Sequence, residues 1–199
     1  MHLYIVRHGE TQANAEGRYL GALDTELTAN GMLQAEALKS ALPTHIDAVV
    51  VSPLRRAQQT ARIVFNNSSL SLRTMHAFRE RNVGVFEGLT QSEARERYPE
   101  LWSRNITRQW NLAPPDGESI AEVVSRIQTG IGDLLVDYPH QVVILVAHGF
   151  IAKTIRALAR QDFSDFFDWQ LGNGDVLELL LTANFAITPI PISEGSQPF

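Results

Sequence analysis

The sequence of 199 residues contains no cysteine. Disulfide bonds, thiolate catalysis and zinc sites built on cysteine ligands are therefore excluded. The sequence also lacks any apolar run that approaches the ~20 residues of a membrane-spanning helix. Its first residues have neither the charged region nor the apolar core of a signal peptide. We therefore expect a cytoplasmic protein without a membrane partner.

Lysine is also scarce. Of the 17 basic residues only Lys39 and Lys153 are lysines, and the rest are arginines. The planar fork of arginine suits phosphate or carboxylate, so this bias is compatible with an anionic ligand. The base composition of the genome explains it equally well. The net charge of -5 argues against a nucleic-acid partner. The length suits one domain, which we expect over residues 1–187, followed by an edge or disordered tail over residues 188–199.

Predicted strands alternate with predicted helices along the chain. The strands are expected at 2–7, 46–51, 70–74, 142–147 and 176–181. The helices are expected at 28–42, 52–65, 90–98, 100–112, 119–136 and 150–159. Thr28 and Ser52 are expected to cap the first two, and capping boxes at Thr90 and Ser119 to open the third and the fifth. Residues 12–25 are predicted as a long loop. This alternation predicts an α/β domain with a largely parallel sheet, in which ligands bind at the carboxyl ends of the strands.

Two of the predicted strands end alike, in a histidine followed by a glycine. The first strand runs into His8-Gly9 and the strand over 142–147 into His148-Gly149. If these strands are parallel neighbours, both histidines lie at the same edge of the sheet. One histidine at a strand end is more often structural, but two such ends favour a site. A glycine beside each lets a ligand approach the main chain closely.

Arginines come to the same edge of the predicted sheet. Arg7 precedes His8, and Arg55 and Arg56 lie where the second strand passes into a helix. The free N–H groups of a helix start favour an anion, so two histidines and at least two arginines converge where a phosphate can bind. The alternative for the Arg55–Arg56 pair is a solvated helix face, which we expect for one of the two.

The order of the short motifs resembles that of the histidine phosphatase superfamily, the phosphoglycerate mutase-like proteins. Six stretches carry the resemblance: Arg7 to Asn14, Asp24 to Ala35, Ser52 to Ala61, Glu80 to Gly88, Gly117 to Ser119, and Val146 to Gly149. The resemblance implies a three-layer α/β/α phosphoglycerate mutase-like fold. The compact form is similar to the broad-specificity and α-ribazole phosphatases.

The resemblance also implies roles for individual residues. His8 is expected to attack phosphorus and to form a phosphohistidine, and Glu80 to protonate the leaving oxygen. The alternative for Glu80 is a surface salt bridge with Arg79 or Arg81. The other implied residues bind phosphoryl oxygens, some by charge and some as neutral donors: Arg7, Arg56, His148, Asn14 and Gly149. Glu10 is the other candidate for the proton donor but is expected to fix the loop, and no metal or other cofactor is implied.

The expected substrate side comprises Arg18, Tyr19, Arg81 and the region from Trp102 to Trp110. The sequence departs from the common family pattern here, with Asn82 in place of a frequent histidine and Tyr19-Leu20 in place of Gln-Gly. Glu26 replaces a common proline. These departures bear on which ester fits.

Three functions remain open at this point. A phosphomonoester hydrolase acting on small phosphorylated metabolites is favoured, because the longer insertion of the cofactor-dependent phosphoglycerate mutases is missing after Gly88. The alternatives are phosphoryl transfer of that mutase type and a catalytically silent domain that binds a phospho-ligand. The sequence leaves homodimer formation open.

Overall fold

The computed structural model describes residues 1–182 and 185. They form a five-stranded sheet with strands β1 (His2–Arg7), β2 (Ala48–Val51), β3 (Leu72–Thr74), β4 (Val142–Ala147) and β5 (Val176–Leu180). The strand order is β3-β2-β4-β1-β5. All neighbours are parallel except β1 and β5, which confirms the largely parallel sheet. The predicted tail over 188–199 lies outside the described residues.

Seven α-helices accompany these strands in the described part of the chain. They are α1 (Gln12–Ala15), α2 (Ala29–Ala41), α3 (Arg55–Val64), α4 (Gln91–Arg97), α5 (Pro99–Ser103), α6 (Ile120–Asp137) and α7 (Gly149–Arg160). Within residues 1–182 no helix is both long and apolar enough to cross a membrane.

Alternation of side chains along the strands builds a core on each face of the sheet. Leu145 of β4 packs with the apolar stripes of α6 and α7. Its neighbours Ile144 and Val146 pack on the other face with α2 and α3. Because successive strand residues point to opposite faces, one continuous apolar run serves both cores. The result is the predicted three-layer α/β/α arrangement.

Helix starts follow the predicted caps at three places. The hydroxyl of Thr28 accepts from the main-chain N–H of Gly31 at the start of α2. Capping boxes centred on Thr90 and Ser119 open α4 and α6. In each box the hydroxyl of the cap accepts from the main-chain N–H of the glutamate three residues later, and the carboxylate of that glutamate accepts from the main-chain N–H of the cap. Two N–H groups that have no partner inside the helix are satisfied in this way.

Three local predictions are wrong. The loop expected over 12–25 begins with helix α1, because Thr11 forms a capping box with Asn14. Ser52 does not cap α3, whose first residue is Arg55. The hydroxyl of Ser52 instead faces His148. The helix expected over 100–112 ends at Ser103, because Asn105 adopts a left-handed conformation (φ 50°) and only one 3-10 turn follows.

The turn after β1 crosses the start of α2, and at this crossing the two main chains are in direct contact. A Cβ added at Gly9 would lie 2.2 Å from the carbonyl oxygen of Gly31, and one added at Gly31 would lie 2.1 Å from that of Glu10. The carboxylate of Glu10 also accepts from the hydroxyl of Thr28 at 2.8 Å, in line with its expected role in fixing this loop. The position of His8 therefore depends on this crossing.

We expect the substitution Gly31→Ala to destabilise the protein by about 1–3 kcal/mol, because the added methyl must push main chain away. Gly132→Ala is the matched control. Gly132 lies inside α6, and an added Cβ meets nothing within 4 Å. That variant should gain about 0.5–1 kcal/mol from helix propensity. Urea unfolding measures both, and equal midpoints for the two variants would contradict the crossing.

Candidate active site

The parallel pairing of β1 with β4 brings the two His-Gly ends together. Arg7 pairs in register with Ala147, so the next residues, His8 and His148, leave the sheet side by side. Their ring centroids lie 5.1 Å apart. Both rings are buried, with 3% and 0% of their surfaces exposed. The juxtaposition expected from the two strand ends is confirmed.

The tautomer of His8 is fixed from both sides of the ring. Nδ1 lies 2.7 Å from the carbonyl oxygen of Gly9, which can only accept, so Nδ1 carries the proton. Nε2 lies 3.1 Å from Nε of Arg56, which can only donate, so Nε2 holds a lone pair. Burial lowers the pKa of His8 well below its usual range, and the charges of Arg56 and Arg7 add to this effect. The ring is therefore neutral, with its unprotonated nitrogen among cations.

Arg56 is fully buried, and each nitrogen of its guanidinium donates a hydrogen bond. Besides Nε, Nη1 donates to the carbonyl of Leu23 at 2.7 Å and Nη2 to that of Gly21 at 2.8 Å. The loop before α2 thus supplies the carbonyls that hold the arginine beside His8. Arg55, by contrast, is exposed and pairs with Glu26, which confirms that one member of the pair lies on a solvated face.

Arg7 approaches the start of α7 closely. Its Nη1 donates to the carbonyl of Leu171 at 2.5 Å, while its Nε is buried without a hydrogen-bond partner in the described residues. A Cβ added at Gly149 would lie 3.4 Å from Nε and Cζ of Arg7 and 2.5 Å from Nε2 of Gln170. A glycine at this position gives the guanidinium room beside the N-terminus of the helix.

His148 is held by Ser52, a residue expected to cap a helix. Its Nε2 lies 2.7 Å from the hydroxyl oxygen of Ser52, and its Nδ1 is buried without a partner in the described part of the chain. Burial lowers the pKa of His148 well below its usual range, with Arg56 adding to the shift. The pairing of β2 with β4 brings the ends of these two strands together, and the main-chain N–H of Ser52 donates to the carbonyl of Val146. Recognising this pairing in the sequence would have predicted the contact between Ser52 and His148.

Glu80 is buried among the cations and does not form the surface salt bridge that was its alternative. Its oxygens accept from the main-chain N–H groups of Arg81 at 2.8 Å and Phe150 at 3.2 Å. Burial raises the pKa of this carboxyl, against the opposing effects of these two N–H groups and of Arg56 and Arg7. A carboxyl with a raised pKa in a cleft is suited to donate a proton.

A network around Glu118 holds the segment that carries Glu80. Glu118 accepts from the guanidinium of Arg79 at 2.6 Å and from that of Arg126 at 3.0 and 3.1 Å. Arg126 in turn donates to the carbonyls of Ala77 at 2.6 Å and Glu80 at 3.3 Å. Glu118, which directly precedes the cap of α6, therefore positions the loop that carries the carboxyl of Glu80.

A pocket of about 360 Å³ opens above these groups. Six residues expected at the phosphoryl or substrate side line it: Arg7, Asn14, Arg18, Tyr19, Arg81 and Gly149. Glu80 lines it as well, whereas His8, Arg56 and His148 are buried and do not.

The expected substrate-side region from Trp102 to Trp110 divides into two parts. Trp102 and Arg108 line an adjoining cavity of about 170 Å³. Trp110 instead packs against Phe163 and Phe166 at 5.2 and 5.4 Å between ring centroids, away from the pocket. Its expected place on the substrate side is wrong, because it fills an apolar cluster.

Three polar pocket residues were not expected from the sequence: Gln91, Lys153 and Gln170. A fourth, Arg108, was expected only as part of the region from Trp102 to Trp110. Only Lys153 carried a usable signal. It lies four residues beyond Gly149 on α7, which places it one helical turn away on the same face. Arg108 and Gln170 lie outside regular strands and α-helices, so no periodicity fixed their direction.

Comparison with known proteins agrees with this geometry. The sequence profile of the histidine phosphatase superfamily (branch 1) matches residues 3–186. The chain belongs to that superfamily. It is 31% identical over 172 residues to phosphoserine phosphatase 1 of Hydrogenobacter thermophilus, covering 85% of this chain and 81% of the relative.

Other relatives carry both phosphatase and mutase names. The superfamily member named 2,3-bisphosphoglycerate-dependent phosphoglycerate mutase in Cytophaga hutchinsonii is 34% identical over 163 residues, covering 78% of this chain and 74% of the relative. The crystal structure of the α-ribazole phosphatase from Shigella flexneri superposes with a TM-score of 0.81 at 29% identity, covering 92% of each chain. The fold is therefore that of a histidine phosphatase.

Proposed function

We propose that this protein hydrolyses phosphomonoesters through a phosphohistidine formed on Nε2 of His8. The observation that carries the proposal is the fixed, neutral tautomer of this buried histidine. The carbonyl of Gly9 holds the proton on Nδ1 at 2.7 Å, so the lone pair stays on the nitrogen beside Arg56. An imidazole needs that unprotonated nitrogen to attack phosphorus.

The cations around His8 supply the electrostatic part of the reaction. In the proposed complex, the oxygens of a phosphoryl group beside Nε2 of His8 accept hydrogen bonds from the Nε–H groups of Arg56 and Arg7. The Nε–H group of Arg7 has no other partner in the described structure. His148, Asn14 and the N-terminus of α7 at Gly149 complete the proposed phosphoryl site. Fixed donors aimed at the transferred group stabilise the charge on its oxygens in the transition state.

Glu80 is the proposed proton donor to the leaving oxygen. Its pKa is already raised by burial, and a phosphate dianion nearby disfavours the carboxylate further. After the alcohol leaves, the same group can accept a proton from the water that hydrolyses phosphohistidine. The proposal includes action in the cytoplasm on small metabolites without a metal. Activity that survives dialysis against EDTA is the expected result for the last point.

The test separates hydrolysis from the two rival functions. We expect phosphate release from p-nitrophenyl phosphate that is lost in the variant His8→Ala. No release above that of the His8→Ala control would defeat the hydrolase and leave a silent binding domain. With 3-phosphoglycerate and the bisphosphate, isomerisation much faster than phosphate release would favour the mutase. The compact segment in which α4 follows Gly88 after two residues favours the hydrolase.

A further inference from the structure

The pocket wall holds more positive charge than the chemistry at His8 uses. Against the single carboxylate of Glu80 it presents five basic side chains, those of Arg7, Arg18, Arg81, Arg108 and Lys153. A phosphate monoester brings a dianion, for which Arg7 and the buried Arg56 already provide two cations. The remaining cations of the wall therefore need a separate explanation.

Two of these cations are neutralised or held by the protein. Arg18 pairs with two glutamates at 2.6 and 2.7 Å. Arg81 donates to two main-chain carbonyls at 2.9 and 2.6 Å. By contrast, none of the ion pairs formed within residues 1–182 includes Lys153 or Arg108. These two side chains line the pocket without an acidic partner at contact distance.

Lys153 and Arg108 are held on neighbouring aromatic rings. The ammonium of Lys153 lies 5.7 Å from the ring centroid of Phe166, and the guanidinium of Arg108 lies 5.3 Å from that of Phe167. The two rings meet edge to face with centroids 5.2 Å apart. Both cations thus rest on one aromatic cluster. The main chain of Lys153 lies about one helical turn along α7 from Gly149 at the proposed phosphoryl site.

The electrostatic surroundings of Lys153 favour an added anion. Burial lowers the pKa of this lysine, and the charges of Arg108 and Arg7 lower it further. Glu80 and Asp168 act in the opposite direction without reversing the shift. An anion bound here would relieve the repulsion between the cations, in a pocket where partial desolvation strengthens the attraction.

We propose that Lys153, with Arg108, binds a second anionic group of the substrate. The preferred phosphomonoesters then carry a carboxylate or a second phosphate in addition to the ester phosphate. This inference rests on the proposed function and deepens it, because it specifies the class of ester that the hydrolase prefers.

Paired substrates test the inference and identify the anion. The first pair is 3-phosphoglycerate and glycerol 3-phosphate, which differ by a carboxylate against a hydroxymethyl group. The second pair is 1,3-propanediol bisphosphate and 3-hydroxypropyl phosphate. We expect kcat/KM for phosphate release to be about 10- to 100-fold higher for the charged member, the range typical of a hydrogen bond to a charged group. A preference for the charged member in only one pair identifies the second anion as a carboxylate or as a phosphate. No preference in either pair overturns the inference.

Variants assign the preference to Lys153. Lys153→Met should reduce the ratio of the two kcat/KM values about 10-fold or more, and Lys153→Arg should restore it. The matched control is Lys39→Met, because the other lysine of the chain lies outside this pocket and pairs with Glu36. If Lys153→Met fails to fold, Arg108→Gln serves in its place. An unchanged ratio in both variants would overturn the assignment.

The second anion site and the hydrolase activity can be contradicted independently of each other. Absence of turnover with p-nitrophenyl phosphate would defeat the hydrolase alone. Calorimetric titration of the wild-type protein with 3-phosphoglycerate and with glycerol 3-phosphate still tests the second site in that case. Tighter binding of the acid, lost in Lys153→Met, is the expected result. Equal affinities would contradict the second anion site whether or not the protein is a hydrolase.

Discussion

Replacing His8 with glutamine is expected to lower kcat for p-nitrophenyl phosphate by roughly 10⁴- to 10⁶-fold, the scale of losses when a covalent catalyst loses its nucleophile. The amide can keep hydrogen bonds to Gly9 and Arg56 but cannot attack phosphorus. Since Arg7, Arg56 and His148 still surround the proposed phosphoryl site, KM should change little. Steady-state kinetics that separate kcat from KM measure the effect.

A surface histidine provides the control for this prediction. His45 is 78% exposed in its side chain and lies 3.1 Å from Asp47, so His45→Gln should behave as wild type. Rapid quenching of the wild-type protein should trap an acid-labile, alkali-stable phosphoprotein that His8→Gln does not form. A trapped phosphoprotein in the glutamine variant would show that another residue is the nucleophile.

The fold was predictable where one local pattern was sufficient. The apolar run before His148 predicted a buried strand, and the capping boxes at Thr90 and Ser119 predicted helix starts. Prediction failed where a longer-range contact or a single unusual dihedral decided the outcome. Ser52 has the sequence of a helix cap, yet its hydroxyl lies against His148 from a neighbouring strand. Asn105 ends a helical pattern through one left-handed residue that periodicity cannot reveal.

The centre of the site was predictable, and its outer wall only in part, since Arg18, Tyr19 and Arg81 were expected there. His8 and His148 lie at strand ends, whose direction follows from the sheet, and Arg56 lies in the first turn of the helix after β2. The wall residues Arg108 and Gln170 come from segments without regular structure, where neither period nor register fixes a side chain. Glu80 is intermediate, because the resemblance identified it while its burial depends on the distant pair Glu118 and Arg126.

Glu80→Gln is expected to reduce activity in a way that depends on the leaving group. For an alkyl phosphate such as glycerol 3-phosphate, the alkoxide must be protonated as it leaves, so we expect kcat to fall about 10²- to 10⁴-fold. For p-nitrophenyl phosphate the leaving phenolate is stable without a proton, and the loss in the step that forms phosphohistidine should be much smaller. Burst-phase kinetics with both esters separate this step from the later hydrolysis, and equal losses would contradict the role of proton donor.

The pH profile gives an independent test of the same assignment. The pKa of Glu80 is raised, so its protonated form persists to higher pH than in an ordinary carboxylic acid, and activity is lost as pH rises through that value. The pKa of His8 is lowered, so the nucleophile stays unprotonated below the usual histidine range. Both directions increase the fraction of the protein in which Glu80 is protonated while His8 is not, and kcat/KM for alkyl esters should fall as pH rises through the pKa of Glu80. In Glu80→Gln the alkaline limb due to the carboxyl should disappear, while Glu36→Gln, which alters an exposed pair with Lys39, should retain it. Because the ester's own phosphate titrates identically with every variant, an alkaline limb that is unchanged in Glu80→Gln would assign the limb to the substrate and remove Glu80 as the acid.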